Sequence, residues 1–321
     1  MVGLLLARAG VHVVTLEKHA DFLRDFRGDT VHPSTLELIY ELGFLEDFLR
    51  IPHQQMRQLK GLVGETEVTV ADFSGLPLHC PFVAFMPQWD FLNFMAARAR
   101  RFPNFRLMME SEITGLVQED GQVVGVTADT KEGPLTIRAP LTIGADGRSS
   151  RVRESAGLEA EDIGAPIDVL WMRLPRQSTD SNAPLGRLSG GQVLVTINRG
   201  DYWQCGLVIP KGTSNDIRNR GIEAFRQRIA AAAPEMADRT NALQSWDDVK
   251  LLTVKIDRLK TWYRPGLLMI GDAAHAMSPI GGVGINLAIQ DAVAAANLLA
   301  IPLRHGGVSL DDLASVQERR E

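Results

Sequence analysis

Residues 267 to 286 constrain this chain more than any other stretch. Leu267-Leu268-Met269-Ile270 is a short apolar run of the kind that forms a buried strand. Gly271-Asp272-Ala273-Ala274-His275 follows at once, then Pro279, Gly281, Gly282, Gly284, Ile285 and Asn286, and Leu287 to Leu299 is an Ala-rich helical pattern. Strand, acid, glycines and helix in that order are expected of an open α/β sheet, which binds ligands outside the carboxyl ends of its strands. An ionised Asp272 there accepts hydrogen bonds from hydroxyl groups. Glycines without Cβ let backbone approach a flat ligand, and the helix after Gly284 aims free N–H groups and its positive dipole end at it. The alternative is a glycine-rich loop that only reverses the chain.

The first residues read as part of a nucleotide-binding unit. Leu4 to Ala9 is the end of an apolar helix, Gly10 suits a left-handed cap, and Val11 to Leu16 is a β-branched run ended by Glu17. Helix, glycine, strand and acid form the second half of a βαβ dinucleotide unit, with the acid placed for a ribose hydroxyl. The first strand and its Gly-rich turn are not in the sequence, which is therefore expected to start beyond them; its last residues, Gln317 to Glu321, fall inside a helical pattern. A parallel sheet lacking that strand would expose ladder groups on its neighbours. Further helices are expected at Ser34–Gly43, Asp90–Phe102 (with Asp90 as cap) and Gly221–Ala233, and Glu112 to Ala145 reads as a meander. Strands are expected at Gly64–Phe73, Asp168–Leu174, Gln192–Asn198, Tyr202–Ile209 and Val249–Ile256. The nucleotide-binding domain is thus discontinuous, at 1–55, 87–165 and 262–321, with a β-rich domain at 56–86 and 166–261 inserted into it.

A second block, Gly144-Ala145-Asp146-Gly147-Arg148-Ser149-Ser150-Arg151-Val152-Arg153, follows the apolar Leu141-Thr142-Ile143. Asp146 ends a strand, Gly147 permits a tight turn, and Ser149 or Ser150 can cap the next helix. Arg148 and Arg151 could meet a pyrophosphate or pair with Asp146. Together, this block and Gly271–Asn286 resemble the motifs of the group A flavoprotein monooxygenases, the relatives of para-hydroxybenzoate hydroxylase and the ubiquinone-biosynthesis hydroxylases. That resemblance implies an α/β fold: a Rossmann-like FAD/NAD(P)-binding domain of para-hydroxybenzoate hydroxylase type with an inserted β-rich substrate domain. It implies FAD as cofactor, NADPH or NADH as electron donor, and hydroxylation of an aromatic or quinone-like small molecule by oxygen through a flavin C4a-hydroperoxide.

Residue by residue, the resemblance assigns Asp272 to the ribityl chain and Gly282, Val283, Gly284, Ile285 and Asn286 to the border of the isoalloxazine ring. It puts Pro279 beside the ring near the oxygen chemistry, Asp146 in FAD and NADPH binding, and Glu17 on the adenosine ribose. Arg27 in Arg27-Gly28-Asp29-Thr30 resembles an arginine that reaches the cofactor, and Gln88 in Pro87-Gln88-Trp89-Asp90 a glutamine beside the ribityl and flavin. A strand-end charge, a surface arginine and an ordinary polar residue before a helix are the respective alternatives. The family's GxGxxG turn has no counterpart here, so a chain unable to retain FAD is one rival. A reductase of the geranylgeranyl type, with the same fold, is another. His275 lies inside the cofactor motif, where a structural role is expected over a general base. Trp171, Arg173, Trp203 and Gln204 alternate on predicted strands and suit either a substrate cavity or sheet packing.

Composition narrows the remaining classes. With 34 Lys plus Arg against 39 Asp plus Glu, the formal charge is −5, which provides no broad basic field for nucleic acid. Cys80 and Cys205 match no metal-ligand spacing and read as buried thiols of a reducing compartment, so the cytoplasm is the expected location. No apolar run reaches the ~18–20 residues of a membrane span.

Overall fold

The computed structural model of the chain describes residues 1–23, 30–180 and 186–321. It divides into two compact units, one of Met1–Gln54, Ala84–Ile163 and Lys255–Glu321, the other of Gln55–Val83 and Gly164–Val254. The last boundary lies at 254/255 instead of 261/262 because Asp257–Leu259 pairs antiparallel with Ala160–Asp162 and with His275–Ala276, both in the first unit.

The first unit carries two parallel ladders. Val13–Leu16 pairs with Phe105–Met108, and Thr142–Gly144 pairs with Leu267–Met269. The helix Val2–Arg8 precedes the first ladder and ends near Gly10, whose φ of +88° suits a residue without Cβ. Thr142–Gly144 does not continue the expected meander. The antiparallel sheet consists of Glu112–Glu119, Gln122–Thr130 and Gly133–Arg138, turned by Asp120 and Gly121 at φ +48° and +79°. The next strand leaves it because its apolar residues complete the buried parallel pair.

That pair sits at the centre of the core. Leu267, Leu268 and Met269 are wholly buried and pack with Ala294, Ala295 and Leu299 of the helix Gly284–Arg304 and with Leu313 and Val316 of Leu310–Arg320. Each such leucine contributes roughly 1.5–3 kcal/mol of burial. The alanines let the long helix lie close on the strands. One stretch among the described residues, Ile280–Arg304, reaches the length and hydropathy of a membrane span, with a mean hydropathy of 1.4. The uninterrupted-run criterion missed it because Asn286, Gln290 and Asp291 break the pattern. Asn286 and Asp291 are buried and hydrogen-bonded within the unit, as befits a core helix.

The expected helix at Asp90 starts earlier, at Gln88, and runs to Ala99 with Pro87 as its cap residue. Asp90 lies within the first turn, where burial raises its pKa. Arg98 is not a solvent-facing charge at the helix end; it is buried, pairs with Asp47 at 2.5 Å and stacks on Phe94.

The second unit is built on a seven-stranded sheet. Its order is Lys250–Leu252, Ile167–Pro175, Tyr202–Pro210, Gln192–Asn198, Gly186–Ser189, Gln58–Val63 and Thr66–Asp72. Leu170, Met172, Leu194, Trp203, Cys205 and Leu207 face the helix Ile222–Ala232 through Phe225 and Ile229. Trp203 is therefore a core residue, its indole N–H donating to Asp180 at 2.9 Å. The opposite face holds Trp171, whose strand partner Gly206 leaves room for the ring; a Cβ there would stand 2.9 Å from it. The strand expected at Val249–Ile256 shortens to Lys250–Leu252, since Val254 N–H donates to Asp168 and its carbonyl accepts from Lys211. Thr66–Asp72 is a strand at the sheet edge, with Val68 and Val70 facing solvent.

Candidate functional site

Gly144 and Met269 are register partners on adjacent parallel strands, so Asp146 and Asp272 follow within three residues at the carboxyl ends of neighbouring strands. The Ile270 N–H donates to the Gly144 carbonyl at 3.0 Å and extends the ladder to the edge of the site. The two motif blocks, far apart in sequence, thus open side by side on the end of the sheet where α/β folds place ligands.

Beyond the strand, Gly271 turns at φ +60°, close against Ala288 of the helix. Asp272 is half-buried, and its carboxylate lies next to Gly284: a Cβ added at Gly284 would stand 4.0 Å from its Oδ1. Gly284 begins the 21-residue helix, which no side chain caps. Among the described residues no hydrogen bond engages the N–H groups of Gly284, Ile285 and Asn286, and the first helical bond runs from Leu287 N–H to the Val283 carbonyl. A carboxylate beside a row of free amides fits a ligand carrying hydroxyl groups and a partly negative edge. That donor set matches a flavin with its ribityl chain.

The Asn286 side chain does different work from its backbone. Its Oδ1 accepts from His32 N–H at 2.9 Å and Thr35 Oγ1 at 2.8 Å, while Nδ2 donates to the Thr30 carbonyl at 3.0 Å and the Gly282 carbonyl at 3.2 Å. All four positions of the amide are filled within the chain. Gly282 has φ +61°, and its carbonyl also accepts from Thr30 Oγ1 at 2.7 Å. The glycine loop is thereby stapled to residues 30–35. His32 lies against this loop; burial lowers its pKa, and a hydrogen bond to the Gly281 backbone partly offsets that shift. Pro279 is half-buried and leads into the single helical turn Ile280–Gly282.

In the Asp-Gly block, Ser150 is the helix cap: its Oγ accepts from Arg153 N–H at 2.9 Å and donates to Asp146 Oδ1. Asp146 Oδ2 accepts from Val152 N–H at 3.1 Å. Serine and backbone hold Asp146, and Arg151 instead meets Glu112 at 3.4 Å on the surface. The arginine that matters structurally is Arg153. Its buried guanidinium donates to the Arg148 carbonyl at 3.0 Å, the Ala273 carbonyl at 3.4 Å and Asp257 at 3.4 Å, joining both motif blocks to a third strand. Burial opposes the charge on Asp257, but Lys255, Arg153 and the Ala276 N–H outweigh it and lower its pKa. The signal for Arg153 was its place three residues after the capping serine, facing inward on the first helical turn.

Glu17 stands at the carboxyl end of Val13–Leu16, in the other parallel ladder. Its N–H donates to the Met108 carbonyl, and its Oε1 accepts from His19 N–H at 2.9 Å. Gln88 is the half-buried first residue of its helix. Arg27 lies outside the described residues. His275 Nε2 is 2.6 Å from the wholly buried Asp291, and its ring packs on Trp262 at 4.8 Å, an arrangement that anchors the imidazole within the fold.

A family model described as FAD binding domain matches residues 1–321. The chain is 36% identical over 324 residues to the 6-methylpretetramide 4-monooxygenase of Streptomyces rimosus, spanning 99% of this chain and 77% of that protein. It is 26% identical over 309 residues to the 12-dehydrotetracycline 5-monooxygenase/anhydrotetracycline 6-monooxygenase of Streptomyces rimosus subsp. rimosus, covering 91% of this chain and 59% of that protein, less than two thirds of its length. A solved structure of pqsL, a probable FAD-dependent monooxygenase from Pseudomonas aeruginosa, superposes with a TM-score of 0.81 at 22% identity, over 99% of this chain and 87% of that one.

Proposed function

This chain belongs to the FAD-binding-domain family, and on that premise we propose that it forms the flavin-holding part of a monooxygenase that hydroxylates a multi-ring aromatic compound. Its fold is the α/β fold of the FAD-dependent monooxygenases of para-hydroxybenzoate hydroxylase type, with the β-rich unit inserted. The observation that carries the reading is the Asp272 carboxylate set against the uncapped helix start at Gly284. The named activities of the two curated relatives, monooxygenation of 6-methylpretetramide and of 12-dehydrotetracycline or anhydrotetracycline, support a substrate of this class.

Bound FAD supplies the redox chemistry, taking electrons from NADPH or NADH and activating oxygen. The residues of this chain bind and orient. Asp272 accepts hydrogen bonds from the ribityl hydroxyls, and the backbone of Gly282, Val283, Gly284, Ile285 and Asn286 borders the ring. Pro279 flanks it, and Glu17, Arg27, Gln88 and Asp146 complete the cofactor set. Residues 55–83 and 164–254 act as the substrate domain, where the face bearing Trp171 offers an aromatic surface. Cys80 and Cys205, both buried, suit the reducing cytoplasm.

The test is flavin titration of the purified chain, followed by oxygen uptake with NADPH and NADH in the presence of an aromatic substrate. Uptake of FAD that Asp272→Ala weakens by about tenfold, the scale of one charge-assisted hydrogen bond, is expected. A protein that stays colourless in excess FAD overturns the reading. Reduction of an isoprenoid double bond under argon without hydroxylation would assign the reductase instead.

A further inference from the structure

Asp291 lies in the middle of the helix Gly284–Arg304 with a side chain fully removed from solvent, and three groups converge on it. Its Oδ2 accepts from Gly271 N–H at 2.8 Å and faces His275 Nε2 at 2.6 Å. Its Oδ1 accepts from Arg320 Nε at 2.7 Å. Because a carboxylate accepts only, the histidine proton at this contact sits on Nε2. Gly271 and His275 are the two ends of the turn that carries Asp272, so a single oxygen ties both ends.

The surroundings explain how this charge is tolerated. A buried carboxylate is costly unless it is paired and hydrogen-bonded. Burial pushes the Asp291 carboxyl up, but His275, Arg320 and the Gly271 N–H prevail and its pKa is lowered. The countercharge comes from Arg320 on Leu310–Arg320, and the same helix holds residues 260–262 through Gln317. Gln317 Oε1 accepts from Trp262 N–H at 2.9 Å, and its Nε2 donates to the Lys260 carbonyl at 3.1 Å. Trp262 in turn packs on the His275 ring.

We propose that Asp291 is a positioning residue for the cofactor: acting through the Gly271 amide and the His275 ring, it sets the turn that presents Asp272 to the polyol chain, while Arg320 holds its other oxygen at 2.7 Å. The inference rests on the FAD reading above and adds to it a residue that does not touch the cofactor. It makes FAD retention depend on a carboxylate behind the turn and on the helix Leu310–Arg320. A residue acting only through Asp272 loses its influence once Asp272 is gone, a non-additivity that general destabilisation does not produce.

The experiment compares wild type, Asp272→Ala, Asp291→Asn and the double variant by two readouts. These are amide exchange at residues 271–275 in the cofactor-free chain, and FAD affinity from quenching of flavin fluorescence. Asp291→Asn is expected to speed exchange at Gly271 and to weaken FAD binding by about tenfold. The double variant is expected to bind within about twofold of Asp272→Ala. Wild-type affinity in Asp291→Asn, unchanged exchange, or full multiplication of the two effects overturns the proposal. If Asp291→Asn does not fold, Arg320→Lys replaces it; several-fold weaker FAD binding supports the proposal and unaltered binding overturns it. Unchanged FAD binding in Asp272→Ala sinks the ribityl assignment itself and the proposal with it. A weakened Asp272→Ala beside an unaffected Asp291→Asn sinks the proposal alone.

Discussion

The side-chain amide of Asn286 donates to the Gly282 carbonyl four residues earlier in the chain, at 3.2 Å, while its oxygen holds His32 N–H and Thr35 Oγ1 from a segment some 250 residues away. The loop at the helix start is therefore tied to residues 30–35 by the chain's own groups. Replacing Asn286 by Leu removes one partner from each of four hydrogen bonds in a buried place. A loss of about 2–4 kcal/mol is expected, read as a lower denaturation temperature of the cofactor-free chain. Asn286→Asp is expected to cost at least as much, because it sets a carboxylate oxygen against the Thr30 and Gly282 carbonyls.

Two adjacent glycines are expected to respond differently to alanine. At Gly282 a Cβ would come within 2.2 Å of Thr30 Oγ1 on a backbone already at φ +61°, whereas at Gly281, φ +80°, the nearest atom is Val283 Cγ1 at 3.7 Å. Gly281→Ala is expected to cost about 1 kcal/mol from backbone strain alone. Gly282→Ala adds a clash and should cost at least twice that. Thermal melts of the two variants decide it; equal losses would mean the Thr30 contact is soft.

Acid should weaken the second unit through Asp180. Burial pushes this carboxyl up, but donation from Trp203, Arg239 and Gln177 N–H prevails and holds it at about 2, below the usual 3.8. A depressed folded-state pKa means the stabilisation is complete above about pH 4 and disappears as the pH falls through about 2. After allowance for partial exposure this amounts to roughly 1–2 kcal/mol. Asp180→Asn should therefore be less stable than wild type at pH 7, and the gap should close near pH 2 in urea titrations.

Cys205 is buried in the sheet core, and burial, with the nearby Glu235 charge, pushes its thiol up to about 12. Alkylation needs the thiolate. Iodoacetamide at pH 8 is expected to leave Cys205 unmodified in the native chain and to label it fully in urea, as mass spectrometry would show. Native labelling would place the residue outside the core.

The two motif blocks were legible because each couples a local pattern to a local need: an apolar run that buries, an acid that ends it, a glycine where φ is positive. The helices at Gly10 and Gly43 were readable for the same reason, as both glycines have positive φ. Misreadings occurred where a distant partner outweighed local preference. Asp90 resembled a cap, but Pro87 takes that position. The strand at Val249–Ile256 stops early because Asp168 and Lys211 take the backbone of Val254.

Sequence alone determined the α/β class, the strand-end acids Asp146 and Asp272 and the uncapped helix that follows Gly284, since these depend on neighbours within a few residues. Only the tertiary structure decided what supports them. Asp291, Arg153, Arg320 and Thr30 act across separations of up to some 250 residues, and their hydrogen bonds exist only after the chain has closed on itself. Their side chains carry no periodic signal, because a polar residue selected to meet one distant partner looks, in sequence, like any other polar residue.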